Sequence, residues 1–282
     1  MIIALDKNFE DSLKKPLEKE GYTVYIHKQD NFELANVYVG YANQDIHKKT
    51  YPKLEAVQLM SASYTKLNIE RLKKEGVLIA NARGVYSDAI AEYVIAQILS
   101  SLKDLETLRE NQMHHVWDKT NLDIQTLIDA KVYYLGTGSI ASEIEARLRP
   151  FKTQSTGFNS NGRKVDGFDE CFALDNLKEH ISKADIIIAS LPDNKHTRHI
   201  FDKALFALIK EGAILVNVGR GSLLNELSMQ NHTKHLRKII LDVFEMEPLS
   251  EDSYLWDEPN VIVTPHMSFI SKNNTKNLLK LV

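Results

Sequence analysis

The chain has 282 residues, of which 43% are hydrophobic and 26% charged, and its formal net charge is -3. That length supports two domains, each able to bury its own core. Interspersed charges of both signs leave no basic stripe for a nucleic-acid backbone, and a lone cysteine, Cys171, excludes an internal disulfide and fits a reducing compartment, where it reads as a small hydrophobe.

The opening MIIALDKNFEDSLKK reads as a strand followed by a charged helix, without the basic start and small-residue cleavage site of a secretory leader. No apolar run approaches the roughly 18 residues of a membrane span, so a soluble, cytoplasmic protein is expected. Short runs rich in Val, Ile and Leu then alternate with amphipathic stretches, the pattern of parallel strands covered by helices on both faces. In the first third, strands are predicted at Ile2–Leu5, Tyr22–Ile26, Val37–Tyr41, Ala56–Met60 and Val77–Ala80, forming one small doubly wound unit. From Asp88 onward AIAEYVIAQILSSLKDLETLRENQ contains no Gly or Pro and predicts one long helix, suited to bridging domains or to carrying a subunit interface. A second, short helix is predicted near Ile124–Ile128. From Lys131 a new unit offers strands at Val132–Leu135, Gln154–Phe158, Asp185–Ser190, Ala213–Val218, Lys238–Asp242 and Val261–Thr264, a count that fits a six-stranded dinucleotide-binding (Rossmann) fold. Asn159–Glu170, polar and glycine-containing, reads as a loop. The predicted class is α/β with two doubly wound domains.

In KVYYLGTGSIASEIEARLRPF, Gly136 and Gly138 follow an apolar strand and open a helix, with Ala141 in the third position of a G-x-G-x-x-[GA] pattern. Each position has a physical need: a tight turn at Gly136, a bare backbone for a pyrophosphate at Gly138, and close helix-to-strand packing at Ala141. NAD-preferring sites place an acidic residue about 20 positions onward, at the end of the second strand, to bind the ribose hydroxyls. Here that strand runs into Asn159, Ser160, Asn161, Gly162, Arg163 and Lys164. An uncharged amide, a hydroxyl and two cations suit a 2′-phosphate, so NADP is favoured over NAD; the plainer alternative is that both cations are solvated loop charges.

Ligands of open α/β sheets sit beyond the carboxyl ends of the strands. Three polar residues occupy such positions: Arg220 in EGAILVNVGRGS, Glu247 in KIILDVFEMEPL and His266 in VIVTPHMS. Hydride addition to a ketone leaves an alkoxide that needs a proton donor working near neutral pH, which imidazole provides. A carboxylate at Glu247 would stabilise the imidazolium and fix the ring, while the planar fork of Arg220 would grip a substrate carboxylate at two points. Taken singly, each could equally be a loop charge or a satisfied polar residue. The other histidines, among them His114, His115, His196 and His199, lie in charged or helical stretches and read as surface residues.

Between Asn81 and Ser268 the ordered blocks NARGVYSDAIAEYVIAQIL, LGTGSIA, ADIIIASLPDNKHTRHIF, GAILVNVGRGSLLNE, LDVFEMEPL and LWDEPNVIVTPHMS resemble the D-isomer-specific 2-hydroxyacid dehydrogenases. The resemblance implies an oxidoreductase that moves a hydride between NAD(P)H and a small 2-keto acid or D-2-hydroxy acid, with Arg220, Glu247 and His266 as its catalytic residues. It also implies Ser139 and Ile140 at the pyrophosphate, Asn159 at the ribose, and Leu191, Pro192 and Thr197 along the cofactor. Val218 and Gly219 would approach the nicotinamide, and Asp242 would bind its carboxamide. By the same resemblance, residues 1–87 with 267–282 form a smaller flavodoxin-like substrate domain, residues 88–266 form the NAD(P)-binding Rossmann domain, and the long helix forms the core of a homodimer. No metal is implied.

The chain departs from the family pattern in MSASYTKLN, where Ser63 and Thr65 replace a glycine and an aspartate in the loop expected to hold the substrate carboxylate; Ser63 and Tyr64 are the substrate candidates there. It also stops at Val282, where relatives commonly continue, which predicts weaker domain docking. These departures motivate a second reading, a nicotinamide-nucleotide-sensing, corepressor-like binding protein with little turnover. A third, an unrelated dinucleotide-fold transferase, requires the ordered blocks to be coincidence.

Overall fold

The computed structural model describes every residue except Thr65 and Asn121. Thr65, singled out above, therefore lies outside the described residues. In chain order the elements are β1 (Ile2–Leu5), α1 (Glu10–Lys19), β2 (Thr23–Ile26), β3 (Val37–Gly40), β4 (Ala56–Leu59), α2 (Ile69–Lys74) and β5 (Leu78–Ala80). They continue with α3 (Ser87–Leu102), α4 (Leu105–Met113), β6 (Lys131–Leu135), α5 (Ser139–Leu148), β7 (Gln154–Asn159), β8 (Glu170–Ala173), α6 (Leu177–His180) and β9 (Ile186–Ala189). The last are α7 (Lys203–Phe206), β10 (Ile214–Asn217), α8 (Glu226–Met229), β11 (Lys238–Leu241), β12 (Val261–Val263) and α9 (Asn274–Leu279). Among the described residues no helix is long and apolar enough to cross a membrane.

The chain divides into two compact units, Met1–Tyr86 with Ile270–Val282, and Ser87–Phe269. The first holds a parallel five-stranded sheet in the order β2-β1-β3-β4-β5, the flavodoxin-like arrangement. Alternation along β1 explains its two cores. Ile3 and Leu5 face Leu13, Leu17 and Leu278, whereas Ala4 faces the opposite side with Tyr38, Val57 and Leu72.

The second unit holds a parallel seven-stranded sheet in the order β8-β7-β6-β9-β10-β11-β12. Numbered from its own first strand this is 3-2-1-4-5-6-7, a Rossmann order with one strand added, and the chain reverses direction across the sheet between β6 and β9. Its central strands β9 and β10 are buried along their length and apolar except for Asn217 at the end of β10, as expected of strands covered on both faces.

Three expectations are corrected. The sheet has seven strands rather than six, because the edge strand β8, in the half-buried run ECFA, carries no strong apolar pattern. The long helix is two helices: Asp104 adopts a left-handed conformation (φ 52°) between α3 and α4, and its carboxylate accepts from Thr107 Oγ1 at 2.8 Å. Aspartate tolerates this conformation through local hydrogen bonding, so a break does not require Gly or Pro. No helix forms at Ile124–Ile128 either. There the backbone is drawn to its surroundings instead: Gln125 N donates to Leu102 O at 2.9 Å, and the Arg237 guanidinium holds both Ser101 O and Asp123.

Candidate active site

The glycine turn after β6 has the conformation its residues require. Gly136 sits at φ +101°, and a Cβ there would stand 3.1 Å from Ser190 Oγ, while its amide donates to Phe158 O at 2.8 Å. Gly138 is the residue preceding α5 and offers no side-chain cap, so the first amides of that ten-residue helix are free to meet an anion. Ser139 and Ile140 form its half-buried first turn, and Ala141 is fully buried. This cradle fits a dinucleotide pyrophosphate.

Beyond β7, Asn159 is buried and its amide is spent on its own turn. Nδ2 donates to Arg163 O at 2.8 Å, and Oδ1 accepts from the amides of Arg163 and Asn161 at 3.1 and 3.3 Å. Ser160, Asn161, Arg163 and Lys164 are exposed around that turn. After β9, Leu191 is buried, Pro192 is exposed, and Thr197 pins the loop by donating to Pro192 O at 2.6 Å.

The strand β10 ends in Val218, Gly219 and Arg220. Buried Asn217 shapes this turn, accepting from Gly219 N at 3.1 Å and donating to Arg220 O at 2.9 Å. A Cβ on Gly219 would lie 2.8 Å from Leu191 O, so only glycine fits beneath that loop. The Arg220 guanidinium donates to Gly219 O at 2.6 Å and forms no ion pair among the described residues, which leaves most of its fork open to an anionic ligand.

Glu247 and His266 come from the next two strand ends, after β11 and β12, and the structure brings them together. His266 Nδ1 lies 2.7 Å from Glu247 Oε2, while Glu247 Oε1 accepts from Phe244 N at 3.0 Å. The imidazole Nε2 has no protein partner among the described residues, and the Phe269 ring meets the imidazole edge-on at 5.8 Å. His266 has φ +50°, a left-handed backbone that few non-glycine residues adopt but that histidine tolerates better than most. The two side chains are 42% and 36% exposed, so the pair is open to a ligand rather than entombed.

Sequence reasoning missed two contributors. His199, expected on the surface, is half-buried; it pairs through Nε2 with Glu245 and donates its amide to Ser222 O at 2.7 Å, linking the loops that follow β9, β10 and β11. Asn217 was also overlooked, although an asparagine inside the apolar run AILVNV is a readable signal. Ser63 and Tyr64 lie in the first unit, after β4; Ser61 Oγ donates to Ser63 O at 2.9 Å, and Tyr64 is 52% exposed.

A parallel sheet with a phosphate-ready glycine turn at its switch point, and an arginine, a glutamate and a histidine on consecutive strand ends, defines a nucleotide-dependent oxidoreductase of the dinucleotide-fold class. Comparison makes this specific: residues 95–268 match the model of the NAD-binding domain of D-isomer specific 2-hydroxyacid dehydrogenases, and the chain belongs to that family. An uncharacterised protein of Corynebacterium melassecola is 33% identical over 225 residues, covering 77% of this chain and 73% of that one. A D-lactate dehydrogenase of Staphylococcus aureus is 28% identical over 258 residues, covering 83% and 77%. A family protein of Aeromonas salmonicida, of known crystal structure, superimposes with a TM-score of 0.80 at 27% identity over 98% of this chain and 92% of its own. The protein is thus an NAD(P)-dependent 2-hydroxyacid dehydrogenase by family and fold.

Proposed function

We propose that this protein reduces a small 2-keto acid to its D-2-hydroxy acid with NADPH as the preferred donor, and that Arg220, Glu247 and His266 perform the chemistry. The observation that carries the reading is the 2.7 Å contact between His266 Nδ1 and Glu247 Oε2, one strand away from an unpaired Arg220. Gly136, Gly138, Ser139 and Ile140 would hold a nicotinamide nucleotide, which would supply the hydride. Leu191, Pro192, Thr197, Val218, Gly219 and Asp242 complete its groove. Arg220 binds the substrate carboxylate and draws electron density from the adjacent carbonyl. His266 gives the proton on Nε2, which has no protein partner among the described residues, to the oxygen that becomes the hydroxyl, and Glu247 holds the resulting ring in place through Nδ1. In the oxidative direction the same nitrogen takes the proton back.

NADPH is preferred because the turn built on Asn159 carries no carboxylate to repel a 2′-phosphate and presents Ser160, Asn161, Arg163 and Lys164 to it. The lone cysteine and a reducing cofactor support a cytoplasmic location, and a homodimer is the working state we assign. Ser63 and Tyr64 are assigned to substrate selection.

The test is to follow NADPH and NADH absorbance while the purified protein meets glyoxylate, hydroxypyruvate, pyruvate and branched 2-keto acids. Oxidation with one of them, faster for NADPH, is the expected result. Cofactor binding without oxidation by any member of the panel would overturn the reading. Ser63→Gly in the same assay should change the ranking of substrates by chain length.

A further inference from the structure

Asp242 is fully buried, yet no cation pairs with it among the described residues. A buried carboxylate without a counter-ion depends on its hydrogen-bond donors, and here all three come from one short segment. Thr264 Oγ1 donates to Oδ1 at 2.6 Å, Met267 N donates to the same oxygen at 2.9 Å, and Ser268 N donates to Oδ2 at 3.0 Å. These donors flank His266 on both sides, so the carboxylate closes the loop around the residue whose φ is +50°.

The chain of bonds extends further. Thr264 has a single hydroxyl proton and spends it on Asp242, which fixes the direction of its other contact: Tyr93 Oη, 2.7 Å away, donates to Thr264 Oγ1. Tyr93 lies on α3, far from the loop in sequence, and burial, opposed by the Thr264 hydrogen bond and reinforced by the Asp242 charge, holds its phenol above the usual range and protonated. A directed path therefore runs from α3 through two hydroxyls to the carboxylate that holds the His266 loop.

We infer that Tyr93 and Thr264 are positioning residues for His266, acting through Asp242 to keep the imidazole against Glu247. The inference rests on His266 being the proton donor. Loss of the Thr264 hydroxyl leaves Oδ1 with one donor and frees the near side of the loop, and His266 can then relax to an ordinary backbone conformation, withdrawing Nδ1 from Glu247.

The experiment compares Thr264→Val, which keeps the shape without the hydroxyl, with Thr264→Ser, which keeps the hydroxyl, and with Tyr93→Phe. The measurements are kcat, KM for the keto acid, NADPH affinity by fluorescence, and the crystal structure of Thr264→Val. Expected are a kcat loss of about tenfold or more for Thr264→Val, a several-fold loss for Tyr93→Phe, near wild-type turnover for Thr264→Ser, and NADPH affinity within twofold throughout. In the Thr264→Val crystal the His266–Glu247 contact is broken. Wild-type kcat in Thr264→Val, an equal loss in Thr264→Ser, or a loss confined to NADPH affinity would each overturn the inference. Should the wild type itself turn over no keto acid, the proposed function fails, and the crystal structure still decides: a retained contact refutes the positioning role and a broken one supports it.

Discussion

At the scale of single residues, the chemistry turns on which atoms are committed and which are free. Glu247 uses one oxygen on the backbone and the other on His266, which leaves imidazole Nε2 for substrate. His266→Asn should lower kcat by on the order of 10²–10⁴-fold with little change in NADPH affinity, a range typical of lost acid–base catalysis; steady-state kinetics beside a binding titration checks it. Arg220→Lys keeps the charge but loses the two-point fork, so kcat/KM for the keto acid should fall by about 10- to 100-fold, measured across the substrate panel. A third case concerns stability. His27, whose Nδ1 meets the Tyr51 hydroxyl, has its pKa lowered from 6.5 by burial first and then by the Lys28 charge. The unfolded chain then takes up this proton at a higher pH than the native protein does, so unfolding binds a proton and stability falls as pH drops below about 6.5. Denaturant midpoints at pH 7.5 and 5.5 should differ more for the wild type than for His27→Gln; equal differences would dismiss the effect.

At the scale of elements, the strand ends act together because their loops touch. A Cβ on Gly221 would lie 1.8 Å from the Phe244 carbonyl carbon, so the turn carrying Arg220 is stacked directly on the turn that leads to Glu247. Gly221→Ala must push these turns apart, and we expect a stability loss of about 1–3 kcal/mol with a fall in kcat that exceeds any change in NADPH affinity; thermal unfolding and kinetics together read both. The loop after β7 gives the cofactor prediction. Arg163→Ser combined with Lys164→Ser should raise KM for NADPH by about tenfold and leave KM for NADH nearly unchanged, because only the 2′-phosphate loses charge-assisted partners.

At the scale of the whole molecule, several large apolar side chains at and after the end of α4 stand exposed. Trp117 is fully exposed, at 104%, and Met113, Val116, Ile124 and Ile128 are exposed near it in the chain. Tryptophan rarely stands free in water, and a second copy of the chain is the occupant we propose for this surface. Sedimentation should give twice the 32.1 kDa chain mass, and Trp117→Glu should shift the protein toward the monomer; a monomeric wild type would refute the dimer.

Much of this was legible in the sequence because it depends on local pattern. Buried parallel strands need continuous apolar runs, so eleven of the twelve strands begin within one residue of the places their runs predict; the exception is β8, which was not predicted. The glycine turn was legible because φ +101° at Gly136 admits few residues other than glycine, and because the pattern sits between an apolar strand and a helix. Arg220, Glu247 and His266 could be picked out as polar residues following apolar strands. Their meeting could not, since the distance between His266 and Glu247 depends on the register of β11 against β12 and on a loop conformation with φ +50°. Tertiary structure likewise decided the break at Asp104, where an acidic residue with a left-handed backbone leaves no trace in helical periodicity. It also decided the fate of Asn159, which faces its own turn, and the clamp on Asp242, whose donors lie more than twenty residues away. Local pattern specifies which segments become strands and where polar residues leave them; hydrogen bonds between distant segments form only when the sheet has brought those segments together.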